Sequence, residues 1–451
     1  MHSKEIPGKD VLPRVLGPFS ATMLGVGAMI GAGIFVLSGM AAGHAGPGLI
    51  LSFLLNGLIA LAIGSCYAEL SSAMPRAGGS YYWVKQALGT GAGFGVGWIG
   101  IYASSVAAAL YALGFGAFSS ALLHKAGIHS EAIDISLFAS LFVTACILLV
   151  HYLGTTDTSI AENSVTLIKI CLLLVLAFGG FAVIAKAPAP LDPFIPFMPN
   201  GPVGILMAMA VTFVAFEGFE VITRAGEELK APARNMPRAI FASISIAVTL
   251  YVLISVALIG AVQGPDGQPG WAYLGELGEL GMATTARQLL PNGDILFYYA
   301  GIASTASAMI AATFSAIRVT FALGRAHDLP HSLSKLHQKH RSPYRAILLC
   351  GTLVVTMVIS LPIVEVAGAA SQMYALLFAM VCFSALRLRT TQPDLVRSFR
   401  VPMIKFTATL GTVAGGLVFF ALLNISPIAW LVSIGWLVAG AVVYYSYTSK
   451  Q

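Results

Sequence analysis

The chain has 451 residues, of which 57% are hydrophobic and only 10% are charged. A soluble globular protein carries roughly 25% charged residues, and 25 Lys+Arg with 19 Asp+Glu cannot cover a 47.1 kDa body with a water-soluble surface. This composition excludes a soluble enzyme, a nucleic-acid-binding protein and a disordered scaffold. The net charge of +6 requires no polyanionic partner, because membrane proteins keep basic residues in their inner loops.

A membrane-spanning helix needs about 20 mostly apolar residues. Twelve segments of the chain meet this requirement, and we call them spans 1 to 12 in chain order. A polar stretch, 264–292, separates spans 7 and 8 and contains a candidate short helix at 274–290 outside the bilayer. The sequence therefore predicts an all-α integral membrane protein with spans near 17–42, 47–72, 94–122, 133–155, 163–186, 202–226, 238–263, 293–324, 344–363, 366–386, 404–424 and 426–448.

The Lys and Arg residues predict the orientation of these spans. With the N-terminus in the cytoplasm, all but four of the 25 basic residues lie at inner positions. The exceptions are Lys125, Lys186 and Arg287 on the outside and Lys169 within span 5. Because cytoplasmic loops retain basic residues, we expect a multi-pass protein of the cell membrane with both termini in the cytoplasm. Residues 1–16 form a mixed-charge cytoplasmic segment without a signal-peptide pattern.

Spans 1 and 6 contain matching interruptions. Span 1 carries four closely spaced glycines within 25–33, and span 6 has two carboxylates around Gly218. The interruptions are about 186 residues apart, which suits two five-helix halves, 17–186 and 202–386, followed by spans 11 and 12 within 401–451. Paired interruptions are typical of transporters with inverted repeats and a binding site at the bilayer midplane. Close helix packing is the alternative interpretation of the span 1 glycines taken alone.

Each interruption leaves backbone groups without helical partners. The amides of residues 32–34, at the start of the second half of span 1, suit a carboxylate. The carbonyls of residues 213, 214 and 216 in span 6 suit an ammonium group, and an α-amino acid carries both charges. The candidate substrate site comprises Ile30, Gly31, Ala32, Gly33, Ile34, Tyr102, Phe213, Val214, Phe216, Glu217, Gly218 and Phe219.

Three titratable residues within the apolar spans are candidates for proton exchange. Lys169 is two turns inside span 5, where burial disfavours the charged form and suits proton exchange. The alternative interpretation is that the Lys169 side chain extends along the helix and places its ammonium group at the inner membrane surface. Glu217 and Glu220 are the other candidates, and either could be a hydrogen-bonded structural carboxylate. The five cysteines form no CxxC pair and are expected to be free, packed thiols, and no metal or cofactor motif is present.

Four stretches resemble the amino acid–polyamine–organocation superfamily of secondary transporters. They are GAMIGAGIF at 27–35, YAEL at 67–70 with PRAGGSY at 75–81, FEGFE at 216–220 with EELKAPARNMPRAI at 227–240, and RVTFALGRAHDLP at 318–330. The resemblance covers residues 15–400. We take residues 17–400 as the transporter core. It implies the leucine-transporter-like fold, with 5+5 inverted repeats, discontinuous helices 1 and 6, two extra C-terminal helices and alternating access.

The resemblance also implies a proton-coupling site. In proton-driven relatives a lysine in helix 5 replaces a sodium ion, and Lys169 falls at that position. Its implied partners are the carbonyls of Gly27 and Ile30 and the hydroxyl of Ser304 or Ser307. The proton-sensitive glutamate of helix 6 corresponds to Glu220.

Glu217 departs from the family pattern, which usually has an uncharged residue there. If it were ionised and faced the site, it would favour a cationic amino acid or a polyamine. The resemblance implies a proton-coupled amino acid symporter whose partners are a small-molecule substrate, protons and the lipid bilayer. The alternatives are an exchanger of the same fold, a membrane sensor that binds without flux, and a membrane enzyme, for which no nucleophile–base arrangement is present.

Overall fold

The computed structural model is built almost entirely of helices. It describes residues 14, 16–75, 78–129, 133–154, 159–226, 228–423 and 426–448, with the backbone alone at 159–162 and 448. Most of the predicted N-terminal segment, together with Arg76 and Glu227 of the recognised motifs, lies outside the described residues. Within those residues, extended pairing is limited to an isolated bridge between Leu16 and Leu229.

Among the described residues, eleven helical segments are long and apolar enough to cross a membrane. The helix of span 9 has only 17 residues, because prolines bound it on both sides, so the prediction of twelve spans is confirmed for eleven of them. The helices of the spans are Pro18–Met29, Ala32–Phe35 and Leu37–Ala45 (span 1), Leu49–Ala73, Thr90–Lys125, Ile135–Leu153, Ser159–Lys186, Gly201–Thr212 and Phe219–Arg224 (span 6), Pro232–Ala261, Gly293–Arg325, Tyr344–Ser360, Ile363–Thr391, Ile404–Ala421 and Pro427–Thr448.

In the described part of the chain, three further α-helices connect the spans. Ser80–Leu88 lies between spans 2 and 3, where the sequence analysis predicts none. The polar stretch between spans 7 and 8 forms two short helices, Gly270–Leu277 and Gly281–Leu289, instead of the single one predicted at 274–290. The turn between them carries Gly278 at φ 55°, a left-handed conformation that glycine adopts without strain.

Spans 1–10 pack in the pattern that two equivalent five-helix halves produce. Span 1 packs on span 7 as span 6 packs on span 2, and span 5 packs on span 1 as span 10 packs on span 6. Span 3 packs on span 8, and span 2 on span 7, so corresponding members of the two halves also meet. Span 11 packs on spans 2 and 10, and span 12 on spans 3 and 10. This packing fits the predicted 5+5 arrangement with two additional helices.

The outward faces of the peripheral spans are apolar. Phe138 of span 4 is 64% exposed and Leu417 of span 11 is 65% exposed. Apolar surface of this kind is stable in contact with lipid and not with water. Cys146 and Cys171 also lie on exposed faces, so the prediction of packed thiols is wrong for these two and holds for the other three cysteines, which are buried.

The two interruptions lie in the buried centre and differ in form. In span 1, Ile30 (φ −77°, ψ 69°) and Gly31 (φ −121°, ψ −140°) leave helical geometry between two helices. In span 6, a 3₁₀ turn at Phe213–Phe216 tightens the chain, yet Gly218 keeps near-helical angles (φ −58°, ψ −22°). Span 1 is therefore broken, whereas span 6 is overwound.

Candidate functional site

The two interruptions touch each other through glycines. A Cβ on Gly33 would lie 2.4 Å from the Cβ of Ala215 and 2.5 Å from its Cα. A Cβ on Gly218 would lie 2.4 Å from the backbone nitrogen of Met29. Each glycine thus packs against the other interrupted span, where a side chain has no room. The sequence left open whether the span 1 glycines serve close helix packing or a helix break. The structure shows both at this point.

The amides that follow the span 1 interruption have no hydrogen-bond acceptor in the part of the chain that the structure describes. Within the described residues, the N–H groups of Ala32, Gly33 and Ile34 donate no hydrogen bond, whereas the amide of Phe35 reaches the Gly31 carbonyl at 3.4 Å. All three positions are buried. Unpaired amides at the start of a helical segment attract an anion, so the predicted carboxylate site has the required donors.

The carbonyl groups of span 6 are partly satisfied, which differs from the prediction. The Val214 carbonyl accepts a hydrogen bond from the Glu217 amide at 3.3 Å, because a 3₁₀ turn brings an amide back to the third residue before it. The Val214 amide in turn donates to the hydroxyl of Ser371 in span 10 at 3.1 Å. Val214 is therefore held within the protein and is a weaker candidate for an ammonium ligand than Phe216, at the end of the turn.

A tyrosine that the sequence analysis does not identify joins the two interruptions. The hydroxyl of Tyr251, in span 7, lies 2.6 Å from the carbonyl oxygen of Met29 and 3.0 Å from that of Ala215. These carbonyls belong to the ends of the span 1 helix and of the span 6 turn. Tyr251 is fully buried, and its phenol is shared by both carbonyls.

Lys169 lies beside the interruption of span 1. Its side chain is 1% exposed, and Nζ lies 3.0 Å from the carbonyl oxygens of Gly27 and Ile30 and 3.3 Å from the hydroxyl of Ser307. The hydroxyl of Ser304 donates to the same Ile30 carbonyl at 2.6 Å. The structure therefore brings together the whole predicted set, and the alternative of an ammonium at the inner surface is wrong.

Glu220 forms a buried ion pair. Its Oε1 lies 2.7 Å from Nη2 of Arg224, and both side chains are 1% exposed. Arg224 also donates to the hydroxyls of Ser104, at 2.9 Å, and Ser315. The spacing of four residues places the two charges on one helix face. The arginine neutralises the charge of the ionised carboxylate, and the proton-coupling role of Glu220 stays a prediction.

Glu217 has a different environment. Its Oε1 accepts a hydrogen bond from the hydroxyl of Tyr111 in span 3 at 2.9 Å, and its side chain is buried. Among the described residues, Oε2 has no hydrogen-bond partner and no ion pair includes Glu217. The Tyr111 ring also lies against Gly31, since a Cβ there would be 3.1 Å from the ring. The Glu217 carboxyl is therefore one side chain away from the interruption of span 1.

Tyr102, predicted as a site residue, instead faces span 12 and lies away from the interruptions. Its ring packs on Trp436 of span 12 at 5.1 Å between centroids, whereas Ser104, two residues later, contacts Arg224. Two residues turn a helix by about 200°, which places the two side chains on opposite faces. Tyr111, seven residues after Ser104 and hence on the same face, is the span 3 aromatic residue at the site. The sequence shows through this spacing that Ser104 and Tyr111 share a face, but only the packing of the helices shows that this face meets span 6.

The three phenylalanines of span 6 are buried against different neighbours. Phe213 and Phe219 pack on Phe378 of span 10, with centroids 6.0 Å and 5.3 Å apart. Phe216 packs on Tyr251 at 5.2 Å. Phe213 and Phe219 thus belong to the face of span 6 towards span 10, and Phe216 to the face towards span 7.

Ion pairs link the span ends that the predicted orientation places on the inside. The buried Glu69, at the end of span 2, accepts two hydrogen bonds of 2.6 Å from Arg389 of span 10. Asp328 pairs with Lys85 at 2.8 Å and accepts a hydrogen bond from Tyr81. Burial and then the Asp328 contacts raise the pKa of Tyr81 above its ordinary value, which keeps its hydroxyl a donor. These ion pairs link span 2 to span 10 and the helix Ser80–Leu88 to the segment that follows span 8.

Comparison with known proteins places this chain in a family. Residues 16–448 match the amino acid permease family. The branched-chain amino acid permease BcaP of Bacillus subtilis is 30% identical over 98% of this chain and 95% of that protein. The methylthioribose transporter of the same organism is 28% identical over 98% and 94%, and the vacuolar cationic amino acid transporter 4 of Arabidopsis thaliana is 27% identical over 87% and 66%. The chain therefore belongs to the amino acid permease family of the amino acid–polyamine–organocation superfamily, as a multi-pass membrane transporter and not an enzyme.

Proposed function

We propose that the chain is a proton-coupled amino acid symporter of the cell membrane, with cytoplasmic termini, that works by alternating access. The observation that carries the proposal is the position of Lys169, whose ammonium donates to the Gly27 and Ile30 carbonyls at the span 1 interruption. A neutral lysine would have fewer protons to donate there. Loss of the proton would leave two N–H groups in place of three and would turn charge-assisted hydrogen bonds into weaker neutral ones, so it would destabilise this geometry of span 1.

The substrate of the proposed symporter is an α-amino acid. Its carboxylate would bind the unpaired amides of Ala32, Gly33 and Ile34, and its ammonium group the carbonyls near Phe213 and Phe216. The names of the relatives support this class and leave the side chain open, since they include branched-chain and cationic amino acids and also methylthioribose. No cofactor enters this mechanism.

An exchanger is the second candidate, and the same contacts favour it. Three oxygen acceptors surround the Lys169 ammonium, which stabilises its charged form. If Lys169 stayed charged throughout the cycle, it would replace a sodium ion permanently, and transport would require a second amino acid on the other side.

Uptake by reconstituted vesicles separates the two candidates. Vesicles without internal substrate are given an imposed proton gradient, and accumulation of a labelled amino acid is measured for the wild type and for Lys169→Ala. A symporter accumulates substrate, roughly forty-fold for one charge and 100 mV, whereas an exchanger remains inactive until the vesicles are loaded.

The matched control is Lys186→Ala, which removes an exposed lysine at the other end of the same helix. We expect Lys169→Ala to lose gradient-driven accumulation and Lys186→Ala to retain it. Accumulation by Lys169→Ala that still follows the proton gradient would refute coupling through this residue.

A further inference from the structure

We propose that Glu217 is a site for either a proton or a substrate cation. Its carboxyl holds a proton when the bound amino acid has an apolar side chain, and it releases that proton when the side chain carries an ammonium or guanidinium group. This inference rests on the proposed amino acid substrate, and it names two substrate classes that one site accepts.

The distribution of charge around Glu217 supports the inference. The neighbouring Arg224 is engaged by Glu220 at 2.7 Å. The other groups that face the Glu217 carboxyl are phenols: Tyr111 of span 3, Tyr374 of span 10 and Tyr251 of span 7. Phenols can donate hydrogen bonds to the carboxyl but cannot neutralise its charge. Within the described residues, one acidic group of this cluster is therefore paired and the other is not.

Because Glu217 is buried, the absence of a cationic partner raises the free energy of its ionised form. A carboxylate taken out of water without a cationic partner costs several kcal/mol, whereas its neutral form avoids most of this cost. Glu217 is only 4% exposed and its Oε2 has no partner among the described residues. A cationic group on the substrate would supply the missing partner and make the ionised form stable.

The position of Glu217 allows such a contact. Tyr111 touches both the Glu217 carboxyl and the Gly31 position of the span 1 interruption. The amides proposed for the substrate carboxylate begin at the next residue, Ala32. A side chain that extends from a substrate held there towards span 3 would approach the Glu217 carboxyl.

The proton balance of the exchange is simple. The neutral carboxylic acid and a free substrate cation give an ion pair of carboxylate and cation, and one proton goes to solvent. Both complexes then carry the same net charge at this position. Lysine and norleucine share their α-amino and carboxylate groups, so a proton exchanged at Lys169 is common to both and cancels in the difference between them.

Isothermal titration calorimetry of the purified protein tests the inference. Lysine and norleucine are titrated in two buffers of different ionisation enthalpy, which gives the number of protons released with each ligand. We expect the wild type to release about one more proton with lysine than with norleucine. In Glu217→Gln the difference should vanish, lysine affinity should fall about tenfold or more, and norleucine affinity should change less than about threefold.

The control is Glu276→Gln, which removes an exposed carboxylate bonded to Gln268 outside the site and should keep the wild-type difference. If Glu217→Gln fails to fold, the wild type alone still decides. Its ratio of lysine to norleucine dissociation constants should fall about tenfold for each unit rise in pH.

Two sets of results would overturn the inference. Equal proton release with both ligands, a difference that persists in Glu217→Gln, or binding of norleucine alone would overturn it and leave the proposed symporter intact. Absence of binding by either ligand, together with absence of amino acid uptake in vesicles, would overturn both proposals.

Discussion

Replacement of Gly33 by alanine tests how closely the two interrupted spans must approach. The new Cβ would lie 2.4 Å from the Cβ of Ala215 and 2.5 Å from its Cα, whereas carbon atoms at their favourable separation are about 3.5–4.0 Å apart. Spans 1 and 6 would have to separate by about 1 Å, which is the difference between those distances. Overpacking of this kind costs about 1–3 kcal/mol, and we expect a loss of that size in the free energy of unfolding.

Gly95→Ala is the matched control. Gly95 also lies in a membrane-spanning helix, but nothing lies within 4 Å of a Cβ built on it. Alanine there should stabilise span 3 by about 0.5–1 kcal/mol. The assay is thermal unfolding in one detergent, with and without an amino acid that stabilises the wild type. Gly33→Ala should melt below the wild type, and Gly95→Ala at or above it.

The outcome that would refute this reasoning is a Gly33→Ala variant as stable as Gly95→Ala and equally stabilised by the amino acid. A second substitution, Ala215→Gly, refines the test. It removes the methyl group that the new Cβ would strike, but the backbone α-carbon of residue 215 would still lie 2.5 Å away. It should therefore restore only part of the lost stability. Complete restoration would show that the backbone of span 6 yields to the added methyl group.

Three further predictions use the same melting assay. Tyr251→Phe should lower the free energy of unfolding by about 1–2 kcal/mol, because two buried carbonyls lose their shared donor. The control Tyr445→Phe, at a position 72% exposed, should leave that free energy unchanged. Equal melting temperatures of the two variants would contradict this prediction. Gly31→Ala should be destabilising and Ala308→Gly should rescue it, because the Cβ would lie 2.6 Å from that of Ala308; a double variant no better than the single would exclude that clash. Glu69→Gln should lower the free energy of unfolding by roughly 3 kcal/mol, because Arg389 and Arg397 lose their anionic partner. An unchanged melting temperature would show that these ion pairs do not stabilise the protein.

The two glutamates of span 6 show how pairing changes an assignment made from sequence. The resemblance directs attention to Glu220 as the proton-sensitive residue. The structure pairs Glu220 with Arg224, and the spacing of four residues made that pair visible in the sequence. Glu217 was the exception to the family pattern, and its surroundings make it the stronger candidate for proton exchange with a substrate.

The sequence by itself determined the class of the protein and the position of the two interruptions. Long apolar runs have one stable form in a bilayer, the helix, because every backbone polar group must be satisfied within the segment. Glycines and carboxylates inside such runs therefore marked spans 1 and 6. The resemblance then placed Lys169 and its partners Gly27, Ile30 and Ser307 correctly, since family motifs preserve the order and spacing of the helices.

Only the tertiary structure decided which side chains meet between helices. The rotation of span 3 places Tyr111 at the site and Tyr102 on span 12, and no periodicity in an apolar helix fixes that rotation, because its lipid face and its protein face have similar composition. The joining of both interruptions by Tyr251 likewise depends on the packing of span 7. Local sequence specifies helices and their breaks, whereas contacts between distant segments depend on how the helices turn and approach one another.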